Sequence, residues 1–115
     1  MAAVEPTLGS VRVANEVIAS IAAMAAGEID GVASMDEAGA RHFGDWIKRQ
    51  TVYRGVRVVV DTAKAIHLEV FLCVKAGSAL GEVAEKVQAN VVEAVERMLN
   101  LEVAEVNVFV SSIAF

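Results

Sequence analysis

The chain has 115 residues, a formal net charge of -5 and 56% apolar residues, of which few are aromatic. This length holds one domain with a modest core, and an acidic chain without clustered Lys and Arg lacks the electrostatic footprint of nucleic-acid binders. Cys73 is the only cysteine, which excludes an internal disulfide and favours a reducing, cytoplasmic location. No segment has the pattern of a signal peptide or of a membrane-spanning helix.

The beginning of the chain predicts a lead followed by a short strand. Residues 1–9 contain the only proline and are expected to form a flexible N-terminal lead. Residues 10–115 are expected to form a single domain. Within it, residues 10–14 alternate in the manner of a brief strand.

A first helix is predicted directly after this strand. Asn15 can act as its N-cap, and Gly27 or Gly31 can end it. Its apolar positions recur at helical spacing, and they are Val17, Ile18, Ile21, Met24 and Ala25.

Residues 33–54 predict a loop with a helical turn or two, because Gly39 and Gly44 interrupt any longer element. Aromatic and basic side chains occur together in the middle of this segment. A mixture of this kind is typical of a peripheral membrane contact, which liposome flotation with and without anionic lipid would test. The candidate contact residues are Phe43, Trp46, Ile47, Lys48 and Arg49, with Arg41 beside them.

A β-hairpin is predicted from Gly55 onward, where the period of the pattern changes to two. Its first strand includes Val56, Val58 and Val60 on one face, and a turn follows at residues 61–64. Residues 66–75 alternate cleanly and form the second strand. The short connection requires antiparallel pairing.

A second helix and a final strand complete the pattern. Ser78 is the expected N-cap, and the apolar stripe of the helix lies opposite its charged residues. The stripe consists of Leu80, Val83, Val87, Val91, Ala94 and Met98. After Asn100 the chain alternates again, with Ala104, Val106, Val108 and Val110 on one face of a strand.

The order β-α-β-β-α-β predicts an α+β fold. We expect a two-layer sandwich in which a mainly antiparallel four-stranded sheet is covered on one face by both helices. Right-handed crossovers favour central positions for the first and the last strand.

The opposite face of the predicted sheet is the candidate interaction surface. Six of its residues are apolar or weakly polar, namely Val59, Phe71, Cys73, Phe109, Ile113 and Phe115. They either form a patch for assembly or are the scattered apolar residues of any protein surface. In a third interpretation, Phe43 and Trp46 cover part of the face. Under the patch hypothesis, Phe109→Glu would abolish assembly and leave the monomer folded.

Catalytic and metal-binding patterns are absent from the sequence. His67 and Cys73 share a strand face but are six residues apart, about 20 Å along a strand, too far for a catalytic pair. His42 has carboxylates nearby without the spacing of metal ligands. No Gly-rich loop carries the residues that cradle a phosphate. We therefore expect no enzyme, no cofactor, no metal and no small-molecule substrate.

Three segments resemble one bacterial family. They are GSVRVANEVIASIAAMAAGEIDGVASM, GVRVVVDTAKAIHLEVFLCVKAG and EVAEKVQANVVEAVERMLNLEVAEVNVFVSSIAF. The chain is similar in them to the alkaline shock protein family, also described as envelope stress response proteins. The most specific part is Val83 to Val108, and the resemblance covers almost the whole chain outside residues 33–54.

The resemblance implies a small non-catalytic cytoplasmic protein of the envelope stress response. It suggests a scaffold that forms homo-oligomers and contacts a membrane-anchored or envelope-related protein, so that any membrane contact is indirect. An alternative is a regulatory binding module that docks on an enzyme of lipid or acyl metabolism. A concentration series by light scattering would separate assembly from one-to-one docking.

Overall fold

The computed structural model describes residues 13–37, 50–63 and 65–115, and in them the chain forms two helices and one sheet. The helices are α1 (Asn15–Gly27) and α2 (Leu80–Leu99). The strands are β1 (Val32–Met35), β2 (Gln50–Tyr53), β3 (Val56–Val60), β4 (Ile66–Lys75) and β5 (Val103–Ala114). The α+β class, with two helices and a mainly antiparallel sheet, is confirmed.

Strand β4 organises the sheet because it has neighbours along both of its edges. On one edge, its first half pairs antiparallel with β3 and its second half pairs antiparallel with β1. On the other edge, β5 runs parallel to it over the full length, from Val103 beside Ile66 to Ala114 beside Lys75. Strand β2 extends the sheet beyond β3. The predicted hairpin of β3 and β4 is confirmed.

Three details differ from the sequence-based expectation. Strands β1 and β2 lie in a segment for which a loop was expected, and both are only four residues long. The central strand is β4, whereas β5 has β4 as its one partner among the described residues. Of the expected strand at residues 10–14, Val13 and Ala14 are not in a strand, and residues 10–12 lie outside the described ranges.

Helix α1 presents mainly alanines to the core. Because alanine is small, the helix can approach its neighbours closely. Val17 and Met24, expected on the buried side, are exposed. Its buried residues are Ile18, Ala19, Ala22, Ala23, Ala25 and Ala26. The helix begins at Asn15, and Ala14 rather than Asn15 is the N-cap residue.

Helix α2 buries a stripe of valines spaced by four residues: Val83, Val87, Val91 and Val95. Ala79, without a capping side chain, replaces the expected cap Ser78. Asn100 ends the helix in the left-handed conformation, at φ 55°. Both helices pack on one face of the sheet, as predicted, and that face contributes Val32, Val56, Val58, Ile66, Leu68, Val70, Leu72, Val74 and Val106 to the core.

A side-chain amide links the two helices. Asn90 Nδ2 donates to the carbonyl oxygen of Ala25 at 2.7 Å and lies 3.1 Å from Glu28 Oε1. Ala25 is in the last turn of α1, where carbonyl groups lack partners within the helix. The amide of α2 therefore caps the end of α1.

We expect Asn90→Leu, a replacement of similar shape, to lower the free energy of unfolding by about 1–2 kcal/mol, because the Ala25 carbonyl would lose its donor. Urea unfolding measures the effect. The exposed neighbour Ala89, changed to Leu, provides the control and is expected to change stability by less than about 0.5 kcal/mol. Equal effects of the two replacements would contradict the capping role.

Candidate interaction surface

The face of the sheet that points away from the helices, called the outer face below, is built by strand register. Alternate residues of β3, β4 and β5 point to it, and neighbouring strands bring them side by side. Three rows cross the face: Val59, His67 and Glu105; Arg57, Glu69 and Asn107; and Phe71 with Phe109.

Two aromatic rings occupy the middle of the outer face. Phe71 and Phe109 are stacked with ring centroids 4.8 Å apart and an interplanar angle of 15°. The Arg57 guanidinium lies 5.7 Å from the centroid of the Phe71 ring. With these neighbours Phe71 is only 2% exposed. The sequence predicted an accessible Phe71, and this part of the expectation is wrong.

An ion pair lies beside the rings. Arg57, only 4% exposed, contacts the Glu69 carboxylate from the adjacent strand. Burial lowers the pKa of Arg57 from its usual value, because low-dielectric surroundings disfavour the charged form. The guanidinium nevertheless remains charged at neutral pH, and the carboxylate offsets its charge. Arg57 is thus a fixed part of the fold.

The accessible apolar part of the outer face is smaller than the sequence suggested. Val59, Cys73 and Phe109 are half-buried and reach the surface. Phe109 covers Phe71 with one side of its ring and leaves the remainder open. The accessible residues lie on three adjacent strands, and Cys73 and Phe109 lie toward the C-terminal ends of β4 and β5.

A β-bulge changes the direction of side chains near the end of β5. Val110 pairs with Leu72 and Ser112 pairs with Cys73, so Ser111 is the extra residue. Beyond the bulge Ile113 lies beside Val74, which points to the helices. The prediction that Ile113 shares the outer face with Phe109 is therefore wrong.

Ser111 fixes the bulge. Its hydroxyl donates to Asp36 Oδ2 at 2.5 Å, and the Leu72 carbonyl oxygen lies 3.1 Å from the same Oγ. Asp36 follows β1, so this contact spans β4 from one neighbouring strand to the other. Beyond it, Ile113 is 45% exposed and Phe115 is fully exposed.

The second edge of β5 has no strand beside it within the described residues. Edges of this kind offer unpaired backbone groups for strand addition, and proteins commonly protect them with lysine or proline. Strand β5 contains neither, and Glu105 is its one charged residue. The accessible part of Phe109 is on this same strand.

His67 takes part in a cluster of charged side chains that the sequence did not predict. Its Nδ1 lies 2.7 Å from Glu105 Oε2, and its Nε2 lies 2.8 Å from Asp61 Oδ2. These residues are far apart in the sequence, and only the pairing of β4 with β5 brings them together. In the described part of the chain, no group of three or more His, Cys, Asp or Glu residues is arranged to hold a metal ion.

A second accessible apolar area lies on the helix layer. Met24 of α1 and Met98 of α2 are 56% and 58% exposed. They border a shallow groove that also contains Ile21 and Ala94. Sequence periodicity placed both methionines on buried faces because it could not fix the rotation of the helices to within one residue.

Several candidate residues cannot be placed in this surface. Phe43, Trp46, Ile47, Lys48 and Arg49 lie outside the described residues, and the peripheral membrane contact stays a prediction. Within the described ranges, neither helix combines the length and the apolar character needed to cross a bilayer.

The model of the ASP23 family, which is the alkaline shock protein family and is described as having a cell envelope-related function, matches residues 3–115. The chain belongs to the alkaline shock protein family. This match confirms the resemblance found in the sequence and includes every element of the fold described above. It also gives the function of the family as related to the cell envelope.

Relatives of this alkaline shock family member occur in Bacillus subtilis and Streptococcus pyogenes. The uncharacterized protein YqhY of Bacillus subtilis is 37% identical over 94% of this chain and 79% of its own length. YloU of the same organism is 30% identical over 91% of this chain and 88% of its own length. Spy1614 of Streptococcus pyogenes matches with the same identity and coverage as YloU. No solved structure gives a significant match.

Proposed function

We propose that this alkaline shock family member is a non-enzymatic scaffold of the cell-envelope stress response that acts by self-association and by binding protein partners. It works in the cytoplasm and is brought near the membrane by an anchored or envelope-related partner. One observation carries the proposal: accessible apolar residues lie on the outer face, next to the edge of β5 that has no strand beside it among the described residues.

The positions of the charges support association at one end of the outer face. Asp61, His67 and Glu105 form a cluster of charged groups at the end where β4 and β5 begin. Cys73, Phe109 and Ser112 lie toward the opposite end, where Asp36 is held by the Ser111 hydroxyl. Desolvating several charged groups costs more than desolvating one hydrogen-bonded carboxylate, so a contact at the Phe109 end has the smaller cost. A second copy can cover this end and pair with the edge of β5 in one event.

The proposal predicts that a charge at the Phe109 end weakens self-association. Ser112 is exposed and pairs with Cys73, so Ser112→Arg puts a guanidinium on the contact without removing a buried group. We expect the dissociation constant of the assembly to rise at least about tenfold, because about 1.4 kcal/mol of binding free energy is enough for that change. Sedimentation velocity over a concentration series measures it.

Ala89→Arg is the matched control, since it adds the same charge to an exposed position of α2 in the other layer. Unchanged sedimentation of Ser112→Arg, or an equal loss in Ala89→Arg, would count against the proposed surface. If the wild-type protein stays monomeric at every concentration, the proposal of self-association is wrong. Phe109→Glu is a poorer test, because it would also break the stack on Phe71.

The second candidate function is one-to-one docking on another protein, for which an enzyme of lipid or acyl metabolism is the proposed class. The exposed methionines of the helix layer favour it, because flexible methionine side chains suit adaptable binding surfaces. Under this alternative the protein alone would remain monomeric. Met24→Glu, and not Ser112→Arg, would then prevent recovery of the partner enzyme in a pull-down.

A further inference from the structure

The imidazole of His67 lies between two carboxylates that come from different parts of the fold. Asp61 is in the connection between β3 and β4, and Glu105 is near the start of β5. Both ring nitrogens are within hydrogen-bond distance of a carboxylate oxygen, at 2.7 and 2.8 Å. An ionised carboxylate only accepts hydrogen bonds, so both contacts are hydrogen bonds when both nitrogens donate, that is, when the ring is an imidazolium.

The two carboxylates are not held equally. Asp61 Oδ1 accepts hydrogen bonds from the backbone N–H groups of Ala63 and Ala65, both at 2.9 Å. The Asp61 N–H donates to the Ala65 carbonyl oxygen at 3.1 Å, which closes the turn. Glu105 instead follows an irregularity in the pairing of β5, where the register with β4 shifts by one residue.

We propose that His67 is a proton-operated clasp that fastens the start of β5 to the turn between β3 and β4. A neutral imidazole keeps one N–H, and the anchored Asp61 retains it. The other nitrogen then presents a lone pair to Glu105, and the two acceptors repel each other. Loss of one proton thus releases Glu105 and loosens the first residues of β5. This role is independent of the proposed self-association.

Among the described residues, the remaining surroundings add no competing charge to the cluster. Across β3 the neighbour of His67 is Val59, and the next row holds the paired charges of Arg57 and Glu69 with the neutral Asn107 of β5. The helices pack on the opposite face. In the described part of the chain, Asp61 and Glu105 are therefore the groups that decide the protonation of His67.

The direction of the pH dependence follows from these contacts. The hydrogen bonds to Asp61 and Glu105 raise the pKa of His67, and the hydrogen bond from His67 lowers the pKa of Asp61. Because the pKa of His67 is raised by folding, the clasp contributes its full stability below a pH of about 6.5, the ordinary histidine value. This contribution is lost as the pH rises through the folded-state pKa of His67. The lowered Asp61 pKa gives stability that is lost as the pH falls through it. The clasp is thus closed below the His67 titration as long as both carboxylates are ionised.

Amide hydrogen exchange tests the clasp in the intact protein. Protection factors, which correct for base-catalysed exchange, are measured from about pH 5 to about pH 9 while NMR follows the His67 ring. We expect protection of the Glu105 amide to fall in step with the His67 titration, by up to about tenfold per unit of pKa difference between closed and open states. Amides of α2 such as that of Val91 are expected to keep the same protection factors across this pH range.

Two matched variants separate the roles of the carboxylates. Glu105→Gln should lower the pKa of His67 and abolish the pH-dependent step in β5. Asp61→Asn keeps an oxygen for the turn and places its NH2 group opposite His67 Nε2. The neutral ring can then accept from this amide and donate to Glu105 from Nδ1, so β5 should stay protected through the His67 titration. Constant protection of β5 through the His67 titration in the wild type, or the same step in His67→Gln, would overturn the proposal.

Discussion

Replacing Phe71 by alanine is expected to lower the free energy of unfolding by about 3–5 kcal/mol, the usual cost of removing a buried aromatic side chain. The ring is 2% exposed and stacks on Phe109. Its loss leaves a void beside Arg57, whose guanidinium lies over the ring, and exposes one side of Phe109. Urea unfolding at low protein concentration measures this cost without a contribution from self-association.

The companion variant Phe109→Ala distinguishes burial from ring contact. Phe109 loses the same stack but is only half-buried, so we expect about half the cost of Phe71→Ala. A Phe71→Ala cost below about 1 kcal/mol would mean that Phe71 is not enclosed as described, since surface replacements have effects of that size. The accessible patch would then be the larger one that the sequence suggested.

Gly31→Ala is expected to cost about 2–4 kcal/mol, because backbone strain and steric overlap act together. Gly31 has φ +101°, a conformation that residues with a Cβ rarely adopt. An added Cβ would lie 2.7 Å from Val83 Cγ2 and 3.2 Å from Ser78 Oγ, at the start of α2. The turn after α1 therefore packs against α2 so closely that only glycine fits. Thermal and urea unfolding measure the loss.

Gly77→Ala measures the cost of backbone strain without steric overlap. Gly77 also has a positive φ, +86°, but an added Cβ would meet no atom within 4 Å. We expect a cost of about 1–2 kcal/mol for this control, from the backbone alone. If both alanine variants lose the same stability, the close approach of Gly31 to Val83 makes no contribution.

The elements that the sequence predicted are those with a clear period. Strand β4 alternates over ten residues, and α2 carries valines every four residues, so local sterics and burial act in the same direction. Strand β1 has only four residues, its middle two are exposed, and its pairing with β4 is irregular. Strand β1 forms because it can pair with the edge of β4. Its own sequence shows no alternation from which a strand could be predicted.

The candidate surface was predicted only in part, because its details depend on contacts between distant residues. The alternation of residues along β4 placed Phe71 on the outer face correctly. Its burial, however, depends on Phe109 and Arg57, which come from the neighbouring strands. The bulge that turns Ile113 away involves two serines and has no local signature. The carboxylates around His67 likewise come from separate elements, and β5 contributes one of them only because it runs parallel to β4.

The parallel pairing of β4 with β5 also bears on the order in which the molecule folds. Strands β3 and β4 meet across a turn in which Val60 faces Ile66, whereas His67 and Glu105 are 38 positions apart. Short-range pairs close faster, since the entropy of loop closure rises with separation. The hairpin can thus form first, and β5 can pair with β4 only after α2 has folded. Until then one whole edge of β4 is open to a wrong strand.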